Sequence, residues 1–148
     1  MNVIPAQTAG RIAKDAGLAD ETGYCPTVPA GMTSSIDPRI TVLGDAAIAG
    51  DMPKSAFAAN SQATVAADAL LAALLGTEPD NDGYRNRCWS LIAADDSVFV
   101  GGAYQAGEEK IEQTASEISA LDDGPGQRRR NFEDSGAWYA GLVGDLYG

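Results

Sequence analysis

The sequence predicts an α/β portion followed by a small α+β domain that contains an antiparallel meander and a terminal helix. Three observations carry this prediction. A short apolar run, Ile40 to Leu43, ends in Gly44-Asp45 and is followed by an unbroken helical stretch from Ser55 to Leu75. Beyond it the pattern changes to alternation over Arg87 to Glu117. Between the two lies Gly76-Thr77-Glu78-Pro79-Asp80-Asn81-Asp82-Gly83, a linker by its Gly, Pro and Asp content. The expected domains are residues 1–78 and 79–148, and 148 residues suffice for one ordinary core.

Each element has a local reason. Pro5 to Ala16 reads as a short helix, with Pro near its first turn and Gly17 closing it. A turn-rich stretch holding Cys25, Pro26 and Pro29 leads to the strand at Ile40–Leu43. Ser55 is the expected N-cap of the alanine-rich helix, and Gly76 its left-handed stop. The meander is expected as Arg87 to Ala93, Val98 to Gln105 and Lys110 to Glu117. Asp122-Asp123-Gly124-Pro125-Gly126 then breaks the chain before an amphipathic helix from Arg128 to Tyr147. On that helix Trp138, Leu142 and Leu146 share one face, which packing explains. Arg128-Arg129-Arg130 stands at the wrong end for the helix dipole, which points to a carboxylate or a partner nearby.

The stretch around Asp45 also carries chemistry. A carboxylate at a strand's carboxyl end accepts hydrogen bonds from sugar-like hydroxyls, and Gly44 lets a cofactor approach the backbone. The helix N-terminus at Ser55, reinforced by Lys54, can stabilise negative charge on a reduced isoalloxazine ring. Together these residues read as one part of a flavin site. No G-x-G-x-x-G turn occurs, since Gly10, Gly17 and Gly23 are wrongly spaced.

The run I-T-V-L-G-D-A-A-I-A-G-D-M-P-K-S-A-F-A-A-N-S-Q-A, Ile40 to Ala63, resembles the flavin-binding subunit of flavocytochrome c sulfide dehydrogenase, a relative of sulfide:quinone reductases. The likeness extends through Asn2-Val3-Ile4-Pro5, Gly23-Tyr24-Cys25-Pro26, Tyr84 to Leu91 and Trp138 to Gly148. It implies an FAD cofactor, the end of a two-dinucleotide-binding-domain flavoprotein fold in residues 1–78, sulfide as substrate, a c-type cytochrome subunit as partner and a periplasmic address. It further implies that the pyrophosphate turn and the cysteine tethering the flavin lie upstream of Met1, so that the chain is the C-terminal part of a larger flavoprotein and is inactive alone.

In that family a thiol pair takes up sulfide sulfur and passes two electrons to the flavin, work that a polarizable nucleophile can do and a serine cannot. The resemblance assigns Cys88, 43 residues after Asp45, as the redox cysteine, with its partner in the missing N-terminal portion. Cys25 is the alternative, and a structural Cys25–Cys88 bridge is another. Burial in a core is the ordinary fate of a lone cysteine. Arg85 and Arg87 flank Cys88, but on a strand Arg87 points away from it, and both read as solvated. Trp138 is a candidate wall of the sulfide pocket.

Composition narrows the field. Ten basic residues against 21 acidic ones give a net charge of −11, and there is no histidine. This excludes histidine acid–base chemistry and argues against tracking nucleic-acid phosphates. Two cysteines without histidine do not make a zinc site. Val65 to Leu75, interrupted by Asp68, is too short for a membrane span, and no signal peptide is recognisable. Two other classes fit more loosely: a pyridine-nucleotide disulfide oxidoreductase or NADH dehydrogenase relative, and a non-catalytic subunit-docking module.

Overall fold

The computed structural model describes residues 3, 5, 6, 8–80 and 83–148. In chain order the elements are α1 (Arg11–Asp15), β1 (Cys25–Pro26), a 3-10 turn (Gly44–Ala46), β2 (Ala47–Ile48), α2 (Ala56–Leu75), β3 (Tyr84–Ala93), β4 (Asp96–Ala106), β5 (Ile111–Ile118) and α3 (Pro125–Tyr147). Two compact units result: Met1–Asn86 with Ala103–Thr114, and Arg87–Gly102 with Ala115–Gly148. The three long strands thread both.

In the first unit β1 and β2 pair in parallel, Cys25 opposite Ala47 and Pro26 opposite Ile48. The predicted strand at Ile40–Leu43 does not join them. Instead Thr41 bridges Thr33 antiparallel, with Ser34 N–H donating to Ile40 O at 2.7 Å and Val42 N–H to Met32 O at 3.0 Å. A local loop-back thus takes the backbone groups that a sheet neighbour would have used, and the parallel strand forms after Gly-Asp rather than before it. The first helix is also shorter than expected. Gly10 sits extended at its N-cap, and residues 8–10 are not helical. Asn2, Ile4 and Gln7 lie outside the described residues, as do Asn81 and Asp82 of the linker.

Helix α2 begins and ends as its sequence dictates. The Ser55 Oγ accepts from Ala58 N–H at 3.0 Å, and Gly76 closes the helix with φ 69°. Its buried residues, Ala58, Gln62, Val65, Ala66 and Ala72, recur at helical spacing. Several pack with Met32, Ala47, Met52, Tyr84, Tyr104 and Ile111 into the core of this unit. Ser55 Oγ donates to Asn86 Oδ1 at 2.6 Å, and Arg85 N–H donates to Ser61 Oγ at 2.9 Å, which ties α2 to the start of β3. Among the described residues α2 is the one helix long and apolar enough, by length and composition, to cross a membrane, which the interrupted run Val65–Leu75 did not suggest.

The turn after β2 comes unusually close to β5. Gly50 has φ 59°, and a Cβ there would stand 2.3 Å from Ile111 O. Asp51 N–H donates to that same carbonyl at 2.9 Å, and the Asp51 carboxylate meets Lys110 Nζ at 2.6 Å. The lysine holds that carboxyl below the usual range, with Gln113 N–H assisting.

The predicted meander is present as the three-stranded antiparallel sheet β3-β4-β5, and the terminal helix follows it. A short turn with Asp95 at φ 60° links β3 to β4, and Gly107 N–H donates to Lys110 O at 2.9 Å between β4 and β5. In the second unit two arginines of the run, Arg128 and Arg129, meet carboxylates, and Arg130 donates to Gln127 Oε1 at 2.6 Å. Arg128 Nε and Nη2 each donate to Asp96 at 2.6 Å, and Arg129 meets Glu133 at 3.0 Å and Asp95 at 3.6 Å. The bidentate geometry explains why arginine stands at a helix N-terminus that by dipole alone favours anions. Asn131, 2% exposed, donates to Ser97 O at 3.2 Å and Ser119 Oγ at 3.3 Å.

Among the described residues Tyr84 is the largest fully buried side chain. Its hydroxyl donates to Pro29 O and accepts from Gly31 N–H at 3.3 Å, and burial pushes its pKa up. Tyr84→Phe leaves both backbone groups without that partner and is expected to lower unfolding stability by about 1–3 kcal/mol. Urea denaturation checks this, and a midpoint unchanged from the parent would refute it. Because the folded-state pKa is raised, the stabilisation by neutral Tyr84 is complete below the unfolded value of about 10 and is lost as pH rises through the folded one.

Candidate functional site

The 3-10 turn at Gly44–Ala46 is built by side chains from the beginning of α2 and the residue before its cap. Gly44 takes φ 65°, with Ala59 so near that an added Cβ would lie 3.3 Å from its own. A side chain here would be strained and would crowd Ala59, so glycine lets the turn lie close against α2. The Gly44 N–H donates to Gln62 Oε1 at 2.8 Å. From the other side the Lys54 ammonium donates to Asp45 O and, at 2.9 Å, to Ala47 O. The same ammonium lies 4.4 Å from the centroid of the Tyr24 ring, within cation–π range.

These groups line a cleft of about 170 Å³ with Ile48, Ala49, Gly50, Met52 and Pro53. Gly44 and Lys54, two of the four predicted cofactor residues, are therefore brought together. Asp45 lies in the turn itself with its side chain exposed, outside the lining. Ser55 is also outside it, its hydroxyl engaged by Ala58 N–H and Asn86. Pockets that enclose a whole small-molecule ligand run to about 300–1,000 Å³, so this cleft has room for one end of a dinucleotide cofactor only. The polar groups it offers suit such an end: the Lys54 ammonium and the buried Gln62 carboxamide beside apolar Met52.

Gln62 and Tyr24 were not foreseen as site residues. A signal for Gln62 was present, because it falls four residues after Ala58 and three before Val65, on the face that the alanine-rich helix buries. A polar residue on such a face requires a partner. Nothing local marks Tyr24, which reaches Lys54 only through the fold.

The cysteines have different surroundings. Cys25 is fully buried opposite Ala47 in the parallel pair, and burial, with the charge of Asp20 assisting, pushes its thiol pKa up. Cys88 is half-buried on β3 in the second unit. Both stand as free thiols in the structure. Next to Cys88, Trp89 stacks against Trp138 of α3 with centroids 6.0 Å apart, the packing expected of that helix face. Leu142 is half-buried, whereas Leu146 is exposed. Arg87 is less solvated than expected, since it pairs with Glu117 and stacks 4.3 Å from the centroid of Phe99. A second, more apolar cavity of about 430 Å³ in this unit is lined by Ile92, Val98, Val100, Ile118 and Leu121 among others, and by none of the predicted site residues.

Residues 81–147 match the family described as flavocytochrome c sulphide dehydrogenase, flavin-binding. The matched segment holds Cys88, the sheet and α3, whereas the Ile40–Ala63 run and its cleft precede it. Over residues 81–147, rather less than half of its length, the chain is thus similar to the flavin-binding domain of the flavocytochrome c sulphide dehydrogenase family.

Proposed function

We propose that this chain forms one side of the FAD site of a sulfide dehydrogenase that delivers electrons to a c-type cytochrome subunit. The observation that carries the reading is the Gly44–Lys54–Gln62 cleft, standing in the same chain as a segment of a flavin-binding family. Bound FAD would supply two-electron redox chemistry. The chain's own groups hold and bias it. Gly44 lets the turn lie close against α2, Asp45 offers an exposed carboxylate to ribityl hydroxyls, and the start of α2 with Lys54 places positive potential at the cleft. Ser55 contributes by fixing where that helix begins. The periplasmic address belongs to the same proposal and rests on the family resemblance.

Cys88 is the residue proposed to handle sulfur. Its half-buried position on β3 suits a thiol that must meet substrate, whereas Cys25 is enclosed and its raised pKa keeps it protonated. A thiol of that kind is a packing residue.

The decisive experiment compares Cys88→Ser and Cys25→Ser in the flavoprotein that carries this chain, assayed for sulfide-dependent cytochrome reduction. Turnover is expected to collapse in Cys88→Ser with flavin content retained, and to persist in Cys25→Ser. Loss in neither would remove the cysteine mechanism. Alkylation adds an independent check: iodoacetamide should leave Cys25 unmodified in the folded protein and label it in urea.

The cofactor residues separate by redox state. Asp45→Ala is expected to loosen the hold on the ribityl chain of the tethered flavin in both oxidation states, read as a rise in flavin fluorescence, because a hydroxyl partner is lost in each. Lys54→Ala should instead lower the flavin potential, since a cation favours the anionic reduced ring. Potentiometry of the Lys54 variant reads this directly, and an unchanged value would leave that lysine a purely structural role on the Asp45 and Ala47 carbonyls.

A further inference from the structure

Among the polar side chains lining the cleft, Gln62 is buried, with 2% of its surface exposed, while Tyr24 is half-buried and Lys54 exposed. A backbone N–H can only donate, so the Gln62 atom facing Gly44 N at 2.8 Å is the carboxamide oxygen. That fixes the amide's orientation and turns its amino group the other way. There Nε2 meets the Met52 sulfur at 3.7 Å, its sole acceptor among the described residues. A thioether is a weak acceptor, and an amide nitrogen carries two N–H donors. Donors buried this deeply ordinarily have strong partners. Met52 lines the same cleft and is itself buried, so the under-used donor and its poor partner share one wall.

We propose that Gln62 is a positioning residue of this cleft, whose Nε2 exchanges the Met52 sulfur for a carbonyl oxygen or ring nitrogen of the bound ligand. Oε1 stays on Gly44 N–H throughout. One carboxamide thereby joins the shape of the Gly44 turn to the location of an acceptor atom on the ligand. The apolar contribution of Met52, Pro53 and Ile48 to the lining, together with a cation beside an aromatic ring, selects a planar heterocycle with acceptor groups on its edge. This inference rests on the flavin reading and deepens it.

The test uses the 15N-labelled chain titrated with FMN to millimolar concentration, which registers weak binding to a small cleft. The Gln62 side-chain NH2 signals are identified by their absence in Gln62→Met. On addition of FMN they should move downfield while the Gly44 amide keeps its protection from exchange. The Gln62→Glu variant retains an oxygen for Gly44 N–H and lacks the amide donors, and its FMN affinity is expected to fall about tenfold. Shifts confined to backbone amides of residues 44–54, with the Gln62 NH2 pair unmoved, would overturn the role of Gln62 and leave the flavin site standing. An absence of shifts anywhere in residues 44–62 would overturn both. Should Gln62→Glu fail to fold, the side-chain shift in the unaltered chain decides alone.

Discussion

The grip of α2 on the turn at residues 44–47 is the constraint on which the candidate site depends. Two side chains make it through three hydrogen bonds: the Gln62 carboxamide on Gly44 N–H, and the Lys54 ammonium on the Asp45 and Ala47 carbonyls. None is a strong interaction by itself, and a typical hydrogen bond contributes roughly 0.5–1.5 kcal/mol net. Their effect is geometric. The turn is held at Gly44, whose left-handed backbone glycine accepts without strain, and the carbonyls of Asp45 and Ala47 are engaged by the lysine. What remains open is an edge beside the helix start, where partial positive charge gathers.

Anchoring of α2 explains why this grip is stable. Ser55 completes its own cap and reaches Asn86 with the same hydroxyl, so a single side chain fixes both where the helix begins and how it meets β3. Gly50 then allows the loop after β2 to lie against Ile111, and Asp51 joins it there through a backbone bond and the ion pair with Lys110. The second unit uses other means to the same end. Arg128 on Asp96 and Asn131 on Ser97 and Ser119 bind the first turns of α3 to the turn and strand of the meander. With a net charge of −11, the chain has few cations, and several are spent on such local pairs.

Much of the fold was legible because its signals are local. The Ser55 cap, the Gly76 stop, the alternation over 87–117 and the breaker before Pro125 each act through neighbouring residues, and each element formed within a few residues of its expected bounds. The strand at Ile40–Leu43 failed for a reason no window of sequence contains. Its apolar side chains suit a strand, but the backbone partners supplied by the fold are those of residues 32–34, one loop away, and only a single bridge results. The helix expected over Pro5–Ala16 begins only at Arg11, just past Gly10, a residue that costs about 1 kcal/mol in a helix interior relative to alanine.

For the site, the sequence by itself determined the chemistry on offer: a glycine and carboxylate in succession, a lysine before a capped helix, two cysteines and no histidine. Residue type and spacing are enough for that, since caps and turns are short-range. Only the tertiary structure decided which of these groups meet. It set Gly44 and Lys54 in one cleft, left Asp45 outside its lining, enclosed Cys25 and added Gln62 and Tyr24. Tyr24 and Lys54 are separated by thirty positions in the chain, and their contact follows from the pairing of β1 with β2, a long-range hydrogen-bonded register that no local pattern encodes.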